Sequence, residues 1–127
     1  MIDSSVWIDY FNGIETRETN LLDDFLGQRD VALGDLILTE VLQGFRHDQD
    51  FETAKSLLDQ VTIFDLLGKP MALKAANHFR ALRKQGITIR KTADVIIATF
   101  CIDKDMPLLF SDRDFQPFVD HRGLKAA

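Results

Sequence analysis

Residues 31–45 read Val31-Ala32-Leu33-Gly34-Asp35-Leu36-Ile37-Leu38-Thr39-Glu40-Val41-Leu42-Gln43-Gly44-Phe45. Val31-Ala32-Leu33 is an apolar run of strand length. Behind it, Leu38, Val41, Leu42 and Phe45 recur at the spacing of one helix face, which predicts a helix from Asp35 to Phe45. A strand that feeds a helix, with no tight turn into a second strand, belongs to a parallel sheet built through right-handed crossovers. Working outward, Val61-Thr62-Ile63-Phe64 and Leu108-Leu109-Phe110 are further runs of strand length. Helical spacing fits Ser5 to Phe11, Leu21 to Gln28, Phe51 to Asp59, Pro70 to Gln85 and Ala93 to Lys104. Ile87-Thr88-Ile89 reads equally well as a strand or an extended loop. The expectation is an α/β fold with a short parallel sheet and a majority of helix.

At 127 residues, 46% hydrophobic and 28% charged, with 7 Gly and 3 Pro, the chain has globular composition and fits one domain over 1–127. No repeat, low-complexity run or linker breaks it. The single cysteine, Cys101, sits in an apolar run and cannot close an internal disulfide, which suits a reducing cytoplasm. An acidic Asp3 stands where a signal peptide carries basic residues, and 18 uncharged apolar residues never run together. Secretion and membrane spanning are not expected. The net charge of -5 is unevenly spread: residues 1–65 carry 14 acids and 4 bases, whereas 66–93 carry no acid and seven bases. That block suits a phosphate-gripping surface, and equally a solvated helix face.

Ligands of open α/β sheets bind outside the carboxyl ends of the strands. Asp3 follows the stub Met1-Ile2, and Asp112 follows Leu108-Leu109-Phe110-Ser111. Each acid has a structural reading too. Asp3 can cap the helix that follows, and one of Asp112 and Asp114 can cap another. Thr92 can cap a helix whose positive end favours Asp94. Glu40 shares a helix side with Leu36, Ile37, Val41 and Gly44, near the apolar stripe, and no Lys or Arg lies between Asp30 and Phe45 to pair with it locally. The helix after Asp94 is apolar on nearly every side from Val95 to Ile102, so it should be buried. Carboxylates gathered at element ends repel unless a cation neutralises them, and an all-oxygen set without paired His or Cys selects Mg²⁺, with Mn²⁺ as the alternative.

Four segments, in order, carry a family pattern: Asp3-Ser4-Ser5-Val6-Trp7-Ile8-Asp9, Thr39-Glu40-Val41-Leu42-Gln43-Gly44, Thr92-Ala93-Asp94-Val95-Ile96-Ile97-Ala98 and Ser111-Asp112-Arg113-Asp114-Phe115. Together they resemble the PIN-domain ribonucleases, specifically the VapC-type toxins of bacterial toxin-antitoxin pairs. The resemblance implies a PIN-like three-layer α/β fold, a short parallel sheet flanked by helices, filling 1–127. It makes Asp3, Glu40, Asp94 and Asp112 the acidic site, with Asp3, Asp94 and Asp112 on the metal, Ser5 as an orienting hydroxyl and Asp114 as an additional acid. It further implies RNA hydrolysis by a metal-activated water, leaving a 5'-phosphate and a 3'-hydroxyl, homodimerisation, and inhibition by a cognate antitoxin. Arg80, Arg83, Lys84, Arg90 and Lys91 are the candidate RNA contacts, the last two being nearest Asp94 in sequence. One departure is the first strand, cut to Met1-Ile2 where members usually carry a longer one.

Rival readings fit less well. Phosphatases resembling the haloacid dehalogenases need Asp-x-Asp after strand one, and here the chain reads Asp3-Ser4-Ser5. A non-enzymatic phospho-receiver regulator needs adjacent acids after strand one and a Lys near the last strand, but Asp23-Asp24 fall inside a helical segment and no Lys follows Phe110 closely. His47, His78 and His121 are scattered, against a metal-free His-pair ribonuclease. Phe45, Phe51, Phe79, Phe100 and Phe110 are expected in the core, and Trp7, Tyr10 and Phe11 as an exposed patch for an antitoxin groove or dimer face.

Overall fold

The computed structural model describes residues 1–28 and 31–127. These form two compact units, Met1–Asp65 with Leu109–Ser111, and Leu66–Leu108 with Asp112–Ala127.

In the first unit, β1 (Ala32–Gly34) pairs in parallel with β2 (Thr62–Phe64), with Leu33 opposite Ile63. Between them run α3 (Asp35–Gln43) and α4 (Asp48–Leu58), the helical crossover that the 31–45 pattern predicts. On the other side of β1, the Ile2 amide donates to the Ala32 carbonyl at 3.0 Å, and Ile2 makes a parallel bridge with Leu109. The leading stub is thus paired on both sides. α1 (Ser4–Phe11) packs on α2 (Arg17–Gln28) and on α3. α2 starts four residues before the expected Leu21, because Thr16 and Thr19 exchange amide-to-hydroxyl bonds of 2.8 and 3.0 Å that cap its first turn. α4 likewise starts at Asp48, ahead of Phe51, with Asp48 and Asp50 in the first turn, where the helix dipole favours anions.

Trp7 corrects the expected surface patch. It is fully buried, stacked on Phe11 at 6.0 Å between centroids, while Phe11 meets Phe45 edge-on at 5.7 Å. A residue on the inner face of an amphipathic α1, beside fully buried Val6, serves the core, and only Tyr10 and Phe11 of the trio stay half-exposed.

In the second unit, α5 (Lys69–Lys84) packs against α6 (Thr92–Asp103), followed by a 3-10 turn (Arg113–Phe115) and α7 (Gln116–His121). Every residue of α6 from Asp94 to Cys101 is buried, as its all-round apolar sequence predicts. Ile87-Thr88-Ile89 forms no strand. Gly86, at φ 82°, closes α5 with its amide on the Arg83 carbonyl and the Ile87 amide on the Leu82 carbonyl, so the chain there is used to end a helix. Leu108-Leu109-Phe110 is also less than a strand: Leu108 bridges Ala126 within this unit and Leu109 bridges Ile2 within the other, so consecutive residues serve different partners. Of the five expected core phenylalanines, Phe100 is buried and Phe45, Phe51, Phe79 and Phe110 are half-buried; the fully buried ones are Phe115 and Phe118, which seat the 3-10 turn and α7.

The C-terminal segment is tied down by polar bonds as well. Arg122 Nε donates to His78 Nδ1 at 2.9 Å and Lys125 pairs with Asp105 at 2.7 Å; between α5 and α6, Lys74 pairs with Asp103, holding that carboxyl below its ordinary range.

Two measurements probe this packing. Trp7→Ala should cost about 3–5 kcal/mol of unfolding free energy in urea titrations, the cost of emptying a buried aromatic site. Burial, then the Arg122 charge, lowers the His78 pKa below 6.5. The unfolded chain therefore binds that proton more readily, and the contribution of neutral His78, present above pH 6.5, is lost as pH falls through the lower folded value. The urea midpoint should fall on acidification through this window, and His78→Gln should flatten that fall.

Candidate metal centre

The acids divide between the two units. In the first, Asp3 is the N-cap of α1, and its Oδ2 accepts both from the Ser5 amide at 3.1 Å and from Ser5 Oγ at 2.6 Å. The Ser5 hydroxyl in turn accepts from the Ser111 amide at 3.4 Å. A short run of donors thus fixes the Asp3 carboxylate while it lies only 2% exposed. Capping and orienting are one arrangement here, since the same oxygen does both. Glu40 sits on α3 between the buried Ile37 and Val41, half-buried itself, with Oε1 withdrawn from solvent.

In the second unit, Asp94, Asp112 and Asp114 come together: each offers a carboxylate oxygen within 4.8 Å of the others. Two elements supply them, α6 and the 3-10 turn. Asp94 lies in the first turn of α6, 4% exposed. The helix begins one residue earlier than a Thr92 cap requires, for the N-cap is Lys91 and Thr92 is already helical. That shift puts Asp94 among the N-terminal amides without needing a side-chain cap. Asp112 is the N-cap of the 3-10 turn, accepting from the Asp114 amide at 3.0 Å. Asp114, one residue past Arg113, is not a cap. Its two carboxylate oxygens receive Arg90 Nη2 at 3.4 and 3.3 Å.

Chemically, three carboxylates at this spacing repel, and Arg90, with its side chain 78% exposed, screens them weakly, as surface pairs contribute about 0–1 kcal/mol. A divalent cation is the natural counter-charge. The donors are all hard oxygens with no Cys or His among them, so the set fits a hard cation. All five candidate RNA contacts, Arg80, Arg83, Lys84, Arg90 and Lys91, are exposed. The pairing of Arg90 with Asp114 lay outside sequence reasoning, because 24 residues separate them and only the return of the chain after α6 unites them. Nor did the sequence single out Ser111, whose role is carried by its backbone amide.

Removing the Ser5 hydroxyl deletes the shortest bond to Asp3. Ser5→Ala should lower stability by about 1 kcal/mol in urea titrations, and Ser5→Thr should restore most of it.

The PIN domain family model matches residues 1–118. The VapC ribonuclease Mb1587 of Mycobacterium bovis and the Ribonuclease VapC11 of Mycobacterium tuberculosis are each 27% identical to this chain over 133 aligned positions, covering 100% of it and 96% of their own length. Among solved structures, VapBC2 from Rickettsia felis bound to a DNA fragment from its promoter superposes at a TM-score of 0.79 with 17% identity, covering 100% of this chain and 96% of that one. VapBC-1 from nontypeable Haemophilus influenzae superposes at 0.75, also with 17% identity, over 100% and 95%. At such identities the structures speak for the fold, an α/β PIN fold with a short parallel sheet and many helices. With the family model spanning 1–118, this chain belongs to the PIN-domain family.

Proposed function

We propose that the protein is an Mg²⁺-dependent endoribonuclease toxin of the VapC kind, working in the cytoplasm as a homodimer and held inactive by a cognate antitoxin. The observation that carries the reading is the Asp94, Asp112 and Asp114 cluster, three oxygen donors within 4.8 Å in a chain of this family. What supports the toxin assignment is the whole-length likeness to two proteins named as VapC ribonucleases, and what supports the antitoxin is that the solved relatives are VapBC assemblies. No helix among the described residues is long and apolar enough to cross a membrane.

In this reading Asp94 and Asp112 hold the cation with Asp3, and Glu40 completes the acidic set. The inclusion of Asp3 and Glu40 rests on the four-segment pattern and on their burial. When bound, Mg²⁺ supplies an acidified water and offsets charge on the scissile phosphate. The chain's own groups do the rest. A carboxylate of the set, held rigid by helix-end amides, accepts the proton of the attacking water. The hydroxyl of Ser5 keeps Asp3 in one rotamer. Arg80, Arg83, Lys84 and Lys91 receive flanking phosphates, and Arg90 orients Asp114 while offering its remaining donors to RNA.

The test is cleavage of total cellular RNA with the ends mapped. Wild-type protein in Mg²⁺ should yield a defined set of 5'-phosphate ends, lost in EDTA and recovered with added Mg²⁺. Asp94→Asn should cut the rate by about 10²-fold or more, the scale on which a positioned acid–base group acts. Full activity of Asp94→Asn in Mg²⁺ would overturn the assignment. Cleavage should also weaken steeply with salt if the basic residues grip phosphates.

A further inference from the structure

The residues after α7 close the second unit as a strap laid along Leu108. The Leu108 amide donates to the Lys125 carbonyl at 2.9 Å, and the Ala127 amide donates to the Leu108 carbonyl at 2.9 Å. Leu124 is buried, and its amide reaches the Phe118 carbonyl at 3.1 Å. Gly123, at φ 82°, supplies the left-handed turn by which the chain leaves α7 and enters the strap.

Among the described residues, two side-chain ties hold the strap from elsewhere in the unit. Lys125 pairs with Asp105, but their side chains are 60% and 76% exposed, so water screens the pair. The other tie is half-buried: Arg122 Nε donates to Nδ1 of His78, on α5, at 2.9 Å. That bond dictates a protonation state. For Nδ1 to accept, the ring must be neutral and carry its proton on Nε2. A second proton turns Nδ1 into a donor, and two cationic donors then meet where one hydrogen bond stood.

The surroundings do not offset the new charge. Burial, then Arg122, disfavours the imidazolium, and no carboxylate counters them. On α5, Lys74 lies one turn before His78 and is engaged with Asp103 of α6, while Arg80 and Arg83 are exposed cations. Between Asp94 and Asp103, α6 carries no acid or base except the buried Cys101 thiol. At the end of α7, Asp120 accepts from Gln116 at 2.9 Å and His121 is exposed.

We propose that His78 is an acid-sensitive latch on the C-terminal strap: when Nδ1 takes a proton from solvent, the Arg122 tie is lost and Gly123 to Ala127 lift from Leu108 while the helices of the second unit stay folded. The ring is neutral and the latch closed above pH 6.5, and it opens as pH falls through the lower value of the folded ring. The latch does not rest on the ribonuclease reading.

The test is amide hydrogen exchange on the full chain, followed by NMR from about pH 7.5 to about pH 5 and corrected for the intrinsic effect of pH on exchange. Protection of the Leu108 and Ala127 amides should fall at least about tenfold, the scale of one lost hydrogen bond, with the midpoint of the His78 ring titration in the same spectra. Amides from Ile97 to Cys101 in α6 should keep theirs. His78→Gln, whose side-chain oxygen accepts from Arg122 at any pH, should hold the strap closed throughout. Arg122→Leu should leave it open at both ends of the range. The latch is overturned by wild-type protection that ignores pH, by a step that survives in His78→Gln, or by an Arg122→Leu strap as protected as the wild type's. Equal loss of protection in α6 overturns it too, because the whole unit would then be opening. Wild type and His78→Gln decide the question even if Arg122→Leu does not fold.

Discussion

Burying a carboxylate costs several kcal/mol unless something replaces its lost water, and this protein meets that cost with helix N-termini. Asp3 caps α1, Asp94 lies in the first turn of α6, and Asp112 caps the 3-10 turn. At each place the backbone presents amides with no intrahelical acceptor, and in the α-helices the summed peptide dipoles add about half a positive charge. Neutral donors of this kind stabilise an anion without consuming its charge. A Lys or Arg would do both, and the site would then hold no net attraction for a cation. Support from a backbone amide is what leaves the carboxylates of Asp3 and Asp112 with their charge uncompensated by a base.

Asp114 shows the contrast. A guanidinium sits on it, and that guanidinium is mostly exposed, so solvent screens the pair and its hold is weak. Arg90 therefore neutralises Asp114 only in part. This cation lies at the exposed edge of a cluster in which Asp94 is buried and Asp112 and Asp114 are half-buried.

How much of this could be read from residues alone depended on whether the signal was local. The α6 sequence is apolar all round, a pattern that only a buried helix can satisfy, and Asp3 before Ser4-Ser5 announces its own cap. Both were readable. The parallel β1–β2 pair followed from a strand running into a helix at residues 31–45. Harder were features set by distant chain. The start of α2 depends on a Thr16–Thr19 exchange that no Glu or Gln advertises, and the burial of Trp7 depends on α2 and α3 closing over α1. Leu108-Leu109-Phe110 had a strand's composition but not a strand's neighbours, because its residues pair in different directions. In the site, the positions of Asp94 and Asp112 were readable at element ends, whereas the Arg90–Asp114 contact joins residues 24 apart and has no sequence signature.

A helix buried along its length usually has no sides to speak of, yet α6 is polarised at its first turn. Asp94 points one way, toward the 3-10 turn that carries Asp112 and Asp114; Thr92, Val95 and Ile96 point the other, into an apolar groove beside α5. The two surfaces share one rigid element and no side chain. Substitution in the groove changes the wall of an apolar cavity and leaves the N-terminal amides around Asp94 where they are, since those amides belong to the backbone. For the same reason neutralising Asp94 removes a charge but no packing atom of the groove. That one turn of one helix can bear an anionic site and an apolar one follows from the 100° step between neighbouring residues, which places Asp94 and Ile96 on opposite walls within about 3 Å of rise.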